Sequence, residues 1–145
     1  MPNSTFALAA SALALVLLSF FVGVRLLYCR VREMRGKRIH PQAAANSLQV
    51  AARLVDVQAA DNFRNLFEVP VLFYALVAAA LGSGHVPAWL VAGCWGFVGL
   101  RVAHSVIHCT YNNVFHRLAA FLAGFGLIVV LWVAFVLSLQ AKSAA

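Results

Sequence analysis

The chain has 145 residues, of which 63% are hydrophobic and only 10% are charged, and its mean hydropathy is +0.89. A soluble domain usually carries about 25% charged residues, so this composition excludes an ordinary water-soluble fold and predicts a single membrane-embedded domain. The net charge of +7 comes largely from one short basic segment and is not spread over a soluble face. We therefore expect membrane lipids, and no nucleic acid, among the partners of this chain.

The first predicted span covers residues 6–28, an apolar run that can cross a hydrocarbon core of about 30 Å as a helix. Residues 1–5 carry no charged side chain, unlike the basic start of a signal peptide, so we predict a retained helix. A polar connection, residues 29–45, follows this span. Its basic cluster consists of Arg30, Arg32, Arg35, Lys37 and Arg38. Because positive charge concentrates on cytoplasmic loops, this connection is predicted to lie inside and both termini outside.

From Asn46 the pattern predicts one long helix that starts among the lipid headgroups, enters the membrane near Asp61 and spans residues 62–81. Its polar residues are Asp61, Arg64, Asn65 and Glu68. Their spacing of three, one and three positions places them on one helical face. Pro70 removes a backbone donor and predicts a kink just after this face. Ionisable groups at membrane depth are costly, so this polar face is a candidate functional site.

The third and fourth predicted spans, residues 88–109 and 117–139, complete an all-α, integral-membrane bundle of four helices. One face of the third span is a stripe of small residues, on which membrane helices can approach closely: Ala92, Gly96, Gly99 and Ala103. The other face is a polar stripe formed by Arg101, His104, His108 and Tyr111. We expect the polar ends of spans two and three on the same side, so that Arg64 and Glu68 meet this stripe.

Two interpretations of these polar residues differ in chemistry. Arg64, Arg101 and Arg117, together with the basic cluster, would form an inward-facing pocket suited to a carboxylate or thiolate ligand, because Arg offers fixed forks of donors and stays charged. The alternative for this pocket is contact with lipid headgroups, which suits Arg35 to Arg38 better than Arg101. For Asp61, Arg64 and Glu68 the alternative is an internal ion-pair network that only fixes helix packing. His104 and His108, one turn apart, could also chelate a metal, but Glu68 or His116 would have to complete the ligand set. We predict no metal site from the two imidazoles alone.

The order of these features resembles the MAPEG superfamily, membrane-associated proteins in eicosanoid and glutathione metabolism. In the second span the resemblance rests on Asn65, Glu68 and the nearby Pro70. In the third span it rests on the run Arg101-Val-Ala-His104-Ser, and Arg117 opens the fourth span. The resemblance covers essentially the whole chain and indicates a divergent, bacterial branch.

The resemblance implies a homotrimer of four-helix protomers, with glutathione sites between neighbouring subunits near the cytoplasmic face. It also implies glutathione transferase or peroxidase-like activity on hydrophobic electrophiles, with Arg117 as the catalytic residue that stabilises the glutathione thiolate. The residues that match the family's glutathione-binding positions are Asn65, Glu68 and Arg101, with Arg30 or Arg32 as the helix-one position. The basic pocket adds Arg64, His104 and His108 to this candidate site.

Two positions depart from the family's pattern. Glutathione-binding members tend to carry Arg at the position of Asp61, and a Tyr is usual at the position of His108. The alternative to an enzyme is a non-catalytic membrane bundle that binds lipid or a protein partner. In either case we expect a multi-pass protein of a bacterial inner membrane, with the first polar loop in the cytoplasm.

Overall fold

The computed structural model describes residues 2–44, 46–55 and 57–143 of the chain. The helices are α1 (Pro2–Gly36), a short 3-10 helix (Pro41–Ala44), α2 (Ser47–Arg53), α3 (Gln58–Asn65), α4 (Pro70–Gly82), α5 (Ala88–Cys109) and α6 (Val114–Ser143). No strand occurs in these ranges. Four helical segments are long and apolar enough to cross a membrane: Asn3–Gly36, Gln58–Gly82, Ala88–Cys109 and Val114–Lys142. The predicted all-α, four-span architecture is confirmed.

The first helix is longer than its predicted span. It continues to Gly36, so most of the basic cluster lies on the last turns of α1 and not in a loop as predicted. Arg, Glu and Met, which dominate this stretch, are strong helix formers, and charged side chains do not prevent a helix from extending beyond the membrane. Arg38 ends the helix in the left-handed conformation (φ 53°), and the Ile39 amide donates to the Met34 carbonyl oxygen at 2.9 Å.

The single long helix predicted from Asn46 is wrong, because the chain breaks between α2 and α3. Leu54 is buried and has an extended backbone (φ −104°, ψ 133°). The next amide, that of Val55, donates at 2.7 Å to Glu33 Oε1, which also accepts from Lys37 Nζ at 2.6 Å. A carboxylate from the end of α1 thus takes a donor that a continuous helix would use, and this contact competes with helix formation.

A second break separates α3 from α4 at residues 66–69. Pro70 occupies the first turn of α4 and cannot donate to the Leu66 carbonyl, so the predicted kink is present as a full interruption. Glu68 lies in this turn. It is exposed, as are Asp61 and Arg64, and Asn65 is partly exposed, so these four residues stay on the outer side of the second span.

The core centres on α5, which packs against α1, α3 and α6. The rings of Phe73 on α4 and Phe97 on α5 stack with centroids 5.0 Å apart. Two neutral indole N–H groups form hydrogen bonds between helices. Trp95 Nε1 donates to the Ala7 carbonyl at 3.2 Å, and Trp132 Nε1 donates to the Leu72 carbonyl at 3.0 Å. These bonds fasten α5 to α1 and α6 to α4.

The four residues of the predicted small-residue stripe of α5 are exposed, and of its two glycines only Gly96 lies near a side chain of the described residues, that of Leu127. The close approach of α5 to α6 occurs instead at Gly93, where an added Cβ would overlap the side chain of Leu131. A glycine one position beside the stripe therefore sets the spacing of these two helices.

Candidate functional site

The polar side chains of α5 point into the bundle. Arg101, His104, Ser105 and His108 are all buried, each at most 3% exposed. Their positions at i, i+3, i+4 and i+7 form one helical face, as predicted for the arginine and the two histidines. Tyr111, predicted to continue this stripe, lies beyond the end of α5 and is exposed, and its hydroxyl contacts His116 Nδ1 at 3.1 Å.

Arg117 connects this polar face to α6. Its carbonyl oxygen accepts from His104 Nδ1 at 3.1 Å, and its Nη1 donates to His108 Nε2 at 3.3 Å and to Asn112 Oδ1 at 2.9 Å. No carboxylate lies within ion-pair distance of Arg117 in the described ranges, where the only ion pair joins Lys37 to Glu33. The guanidinium is thus held by neutral groups that fix its direction. It has no ion-pair partner in the described ranges, and the Asp61 carboxylate acts electrostatically on its neighbour His108.

The start of α6 adds to the positive potential around Arg117. The side-chain oxygen of Asn113 accepts from the Phe115 amide at 3.0 Å and the His116 amide at 3.2 Å, which caps the helix just before its first residue, Val114. Arg117 therefore lies at the positive end of the helix dipole. A cation at a helix N-terminus is unfavourable by itself. An anion bound there would be stabilised both by the guanidinium and by the positive end of the helix dipole.

A small cavity opens beside Arg117. It has a volume of about 160 Å³ and is lined by Asn65 from α3, His104 from α5, and Val114, Arg117, Leu118 and Phe121 from α6. Three candidate residues that lie far apart in the sequence, Asn65, His104 and Arg117, are thus brought to one place. Asn65 is partly exposed, and its amide can donate and accept.

Arg101 lies behind this cavity. It is 1% exposed, and among the described residues its Nε, Nη1 and Nη2 atoms have no hydrogen-bond partner. Its Cζ lies 5.1 Å from the centroid of the Phe97 ring and 5.3 Å from that of Phe121, so two aromatic rings contact the guanidinium. Gly124 makes room for it, since an added Cβ there would meet Nη2 at 3.0 Å.

The other predicted site residues lie elsewhere. Arg64 and Glu68 are exposed and form no ion pair in the described ranges, so the predicted contact with Arg101, His104 and His108 is absent within the chain. The reason is the orientation of α3: its buried side carries residues other than Arg64. Arg30 is half-buried and Arg32 exposed on the last turns of α1, where Arg32 lines a separate cavity of about 550 Å³ with Cys29 and Gln58.

Asn62, which was not among the predicted site residues, is fully buried on α3. Its Oδ1 accepts from Ser105 Oγ at 3.3 Å, and its Nδ2 donates to Cys109 Sγ at 3.4 Å. Arg25 on α1 donates to the Cys109 carbonyl oxygen at 2.5 Å. The helical spacing of Ala59, Asn62 and Leu66, all buried, was the available signal, because it defines an apolar face that includes one amide.

The metal hypothesis gains no third ligand. The rings of His104 and His108 have centroids 5.7 Å apart, and each ring contacts Arg117. Within the part of the chain that the structure describes, no group of three or more His, Cys, Asp or Glu residues could hold an ion. Glu68 and His116, the residues that would have completed the set, are both exposed.

Four apolar spans with a mainly apolar core, which includes one buried polar face, define a multi-pass integral membrane protein with a helical bundle fold. The sequence matches the MAPEG family over residues 8–137, so the chain belongs to this family, as the resemblance indicated. No curated protein and no solved structure matches the chain.

Proposed function

We propose that this MAPEG protein binds glutathione, or a similar anionic thiol, and transfers it to hydrophobic electrophiles dissolved in the membrane. The observation that carries this proposal is the state of Arg117. Its guanidinium is held by His108 and Asn112, both neutral acceptors, at the positive end of α6 and on the wall of a cavity. A fixed guanidinium without an ion-pair partner in the described ranges, at a helix N-terminus, favours an anionic ligand.

The cavity residues fit parts of such a ligand. Arg117 suits a carboxylate or thiolate, and the Asn65 amide can bind a peptide group. The cavity of one chain, about 160 Å³, is smaller than the roughly 300 Å³ at which small-molecule sites begin. The proposal therefore includes a homotrimer in which a neighbouring subunit supplies the missing wall. Arg30, Arg32, Arg64 and Glu68, which do not line this cavity, would act on the ligand only across that boundary.

Bound glutathione would supply a nucleophilic thiolate sulfur. The part of this chain in the reaction is electrostatic: Arg117 holds a positive charge against the anionic sulfur, and His108 and Asn112 keep the guanidinium from turning away. The apolar surroundings strengthen this attraction, because charges interact more strongly where water is excluded. Hydrophobic electrophiles would arrive through the lipid, in which they dissolve.

Isothermal titration of the detergent-purified protein with glutathione tests the proposal. We expect binding in the native protein and a loss of at least about tenfold in affinity on Arg117→Gln, since one charge-assisted bond contributes about 1.5–3 kcal/mol. Arg53→Gln is the matched control. Arg53 is exposed on α2, so this substitution removes the same charge away from the cavity. No heat with the native protein at millimolar glutathione, or equal loss in both variants, would contradict the proposal.

A non-catalytic bundle is the second candidate, and the burial of Arg101 favours it. A residue that matches a glutathione-binding position is closed off between Phe97 and Phe121 and is not open to a ligand. In that case the polar face of α5 fixes helix packing, and the protein acts through lipid or a protein partner. Arg101→Met would then leave any glutathione binding unchanged, whereas a ligand role requires that binding to weaken.

A further inference from the structure

The ring of His104 forms part of the wall of the Arg117 cavity and is 3% exposed. Its Nδ1 lies 3.1 Å from the Arg117 carbonyl oxygen, and a carbonyl oxygen only accepts hydrogen bonds. Nδ1 therefore carries the ring proton, and in the neutral ring Nε2 presents a lone pair. Among the described residues, this buried Nε2 has no hydrogen-bond partner.

The lone pair of His104 Nε2 indicates what kind of ligand group the cavity accepts. Burying an acceptor without a hydrogen bond is unfavourable, so this nitrogen calls for a donor from a bound molecule. Beside the positive charge of Arg117 that donor is a neutral group. Among amides, alcohols and thiols, a thiol gives up its proton most readily.

The other histidines are not suited to receive this proton. His108 Nε2 accepts from Arg117 Nη1 at 3.3 Å, so its lone pair is already in use. His40, His85 and His116 are not among the residues that line the cavity. The lining that the structure describes also includes no carboxylate. His104 is therefore the basic group on this wall.

Arg117 holds the base and the cation in one unit. Its carbonyl oxygen fixes the His104 ring, and its guanidinium is fixed by His108 and Asn112. The carbonyl belongs to the backbone of α6 near the start of that helix, so the ring is bonded to a rigid element. A base and a cation fixed on one cavity wall suit a single step, in which the base takes a proton and the cation stabilises the negative charge left behind.

We propose that His104 is the general base of this site: its Nε2 takes the proton of the ligand thiol, and the electrons of the broken S–H bond stay on the sulfur beside Arg117. This role rests on the proposed function, because it requires a thiol in the Arg117 cavity. His104 is then a catalytic residue, and Arg117 stabilises the anion that the same step produces.

The proton on His104 has to leave again. A charged ring would lie among Arg101, His108 and Arg117, which all act on it electrostatically, and no carboxylate of a described residue is among these groups. Holding the proton there is unfavourable, because burial and like charges both oppose a positive ring. In apolar surroundings the acceptor at hand is the molecule that the sulfur attacks.

This return of the proton selects a class of electrophile. With an α,β-unsaturated ketone, sulfur bonds to the β-carbon, the C=C electrons move toward the carbonyl oxygen, and the resulting enolate takes the proton from His104 Nε2. The base is then neutral again. With an aryl halide, the halide leaves with its own electron pair, and the proton has to find another acceptor. His104 therefore favours hydrophobic unsaturated carbonyl compounds over halides.

Nitrogen NMR of the detergent-purified full chain, labelled at histidine, tests the ring without any ligand. We expect one ring with a protonated Nδ1 and an unprotonated Nε2 whose signals disappear in His104→Asn. A protonated Nε2 on His104 would overturn the proposal, because that nitrogen has no lone pair with which to accept a proton.

His104→Asn separates the base from the fixed position of the ring. The asparagine amide can replace Nδ1 as the donor to the Arg117 carbonyl, but it has no basic atom in place of Nε2. We expect glutathione still to bind in calorimetry, while the ultraviolet absorbance of the thiolate rises about 100-fold more slowly after rapid mixing. His40→Asn, at an exposed position that does not line the cavity, is the control and should match the native rate.

Free imidazole provides a second test that does not depend on the asparagine variant. Added to His104→Ala, it should raise the rate of thiolate formation at least about tenfold, since it replaces the missing base. Added to Arg117→Gln, which lacks the cation and keeps the base, it should restore nothing. A rate in His104→Ala that imidazole leaves unchanged would contradict the role of His104.

The two proposals fail in different ways. No binding of glutathione to the native protein would overturn both. Binding together with a native rate of thiolate formation in His104→Asn would overturn the role of His104 and leave the Arg117 site in place. For the class of electrophile, we expect His104→Asn to reduce transfer to benzylideneacetone about tenfold more than transfer to chlorodinitrobenzene. An equal reduction would show that the proton does not return from this ring.

Discussion

The ring of Phe121 covers the guanidinium of Arg101, whose Cζ lies 5.3 Å from the ring centroid. The other side of the same residue lines the cavity that holds Arg117. Phe121 therefore lies between Arg117, which the proposed function assigns to the ligand, and Arg101, which only the family resemblance assigns to it. Arg101 does not line the Arg117 cavity, so a ligand there would reach it only after the wall formed by Phe121 and His104 is rearranged.

Removing the ring of Phe121 should open Arg101 to the cavity. We expect Phe121→Ala to enlarge the cavity and to change glutathione affinity, with about tenfold tighter binding if Arg101 then pairs with a ligand carboxylate. Calorimetric titration measures this. Phe115→Ala, at an 82% exposed position of the same helix, is the control. If neither variant changes binding, Phe121 is only a packing residue.

Replacing Arg101 by Met should stabilise the protein if no ligand uses this charge. The guanidinium is buried without a hydrogen-bond partner, and an apolar side chain of similar length avoids that cost. After the loss of the two cation–π contacts, we expect a net gain of roughly 1 kcal/mol or more, seen as a higher unfolding temperature in detergent. A clear fall in that temperature would show that the arginine has a partner in the assembled protein.

The buried amide of Asn62 should matter more for stability than any exposed polar residue. Asn62→Ala removes its bonds to Ser105 and Cys109 and leaves the Ser105 hydroxyl unpaired, so we expect destabilisation of about 1–3 kcal/mol. Combining it with Ser105→Ala should cost less than the sum of the two single changes. Strict additivity in unfolding measurements would contradict the hydrogen bond between Asn62 and Ser105. Gln42 is exposed, so the control Gln42→Ala should have little effect.

The spacing of α5 and α6 should depend on Gly93 and not on the exposed small-residue stripe. An added methyl group at position 93 overlaps Leu131, so Gly93→Ala should destabilise the chain by about 1–3 kcal/mol. Leu131→Ala should rescue part of this loss by making room. Gly99→Ala is the matched control, because no atom lies within 4 Å of its added Cβ. A large effect at position 99 would instead indicate that the stripe is covered by another molecule.

The four spans followed from the sequence because hydrophobicity is a local property that adds along the chain. The same is true of the interruption at Pro70, where one residue removes a donor and obstructs a carbonyl. Half of the candidate site could also be predicted: the buried face of Arg101, His104 and His108 follows from helical spacing on α5. Family membership, confirmed over residues 8–137, rested on such short motifs in the correct order.

The tertiary structure alone decided which polar residues point inward on the second span. Asp61, Arg64 and Glu68 are exposed, while Asn62 is buried, because α3 is turned toward Ser105 and Cys109. This orientation of α3 is possible because the helical backbone is interrupted at both of its ends. One break is intrinsic to Pro70. The other depends on Glu33, whose carboxylate binds an amide 22 residues away, and no local pattern predicts a contact at that distance.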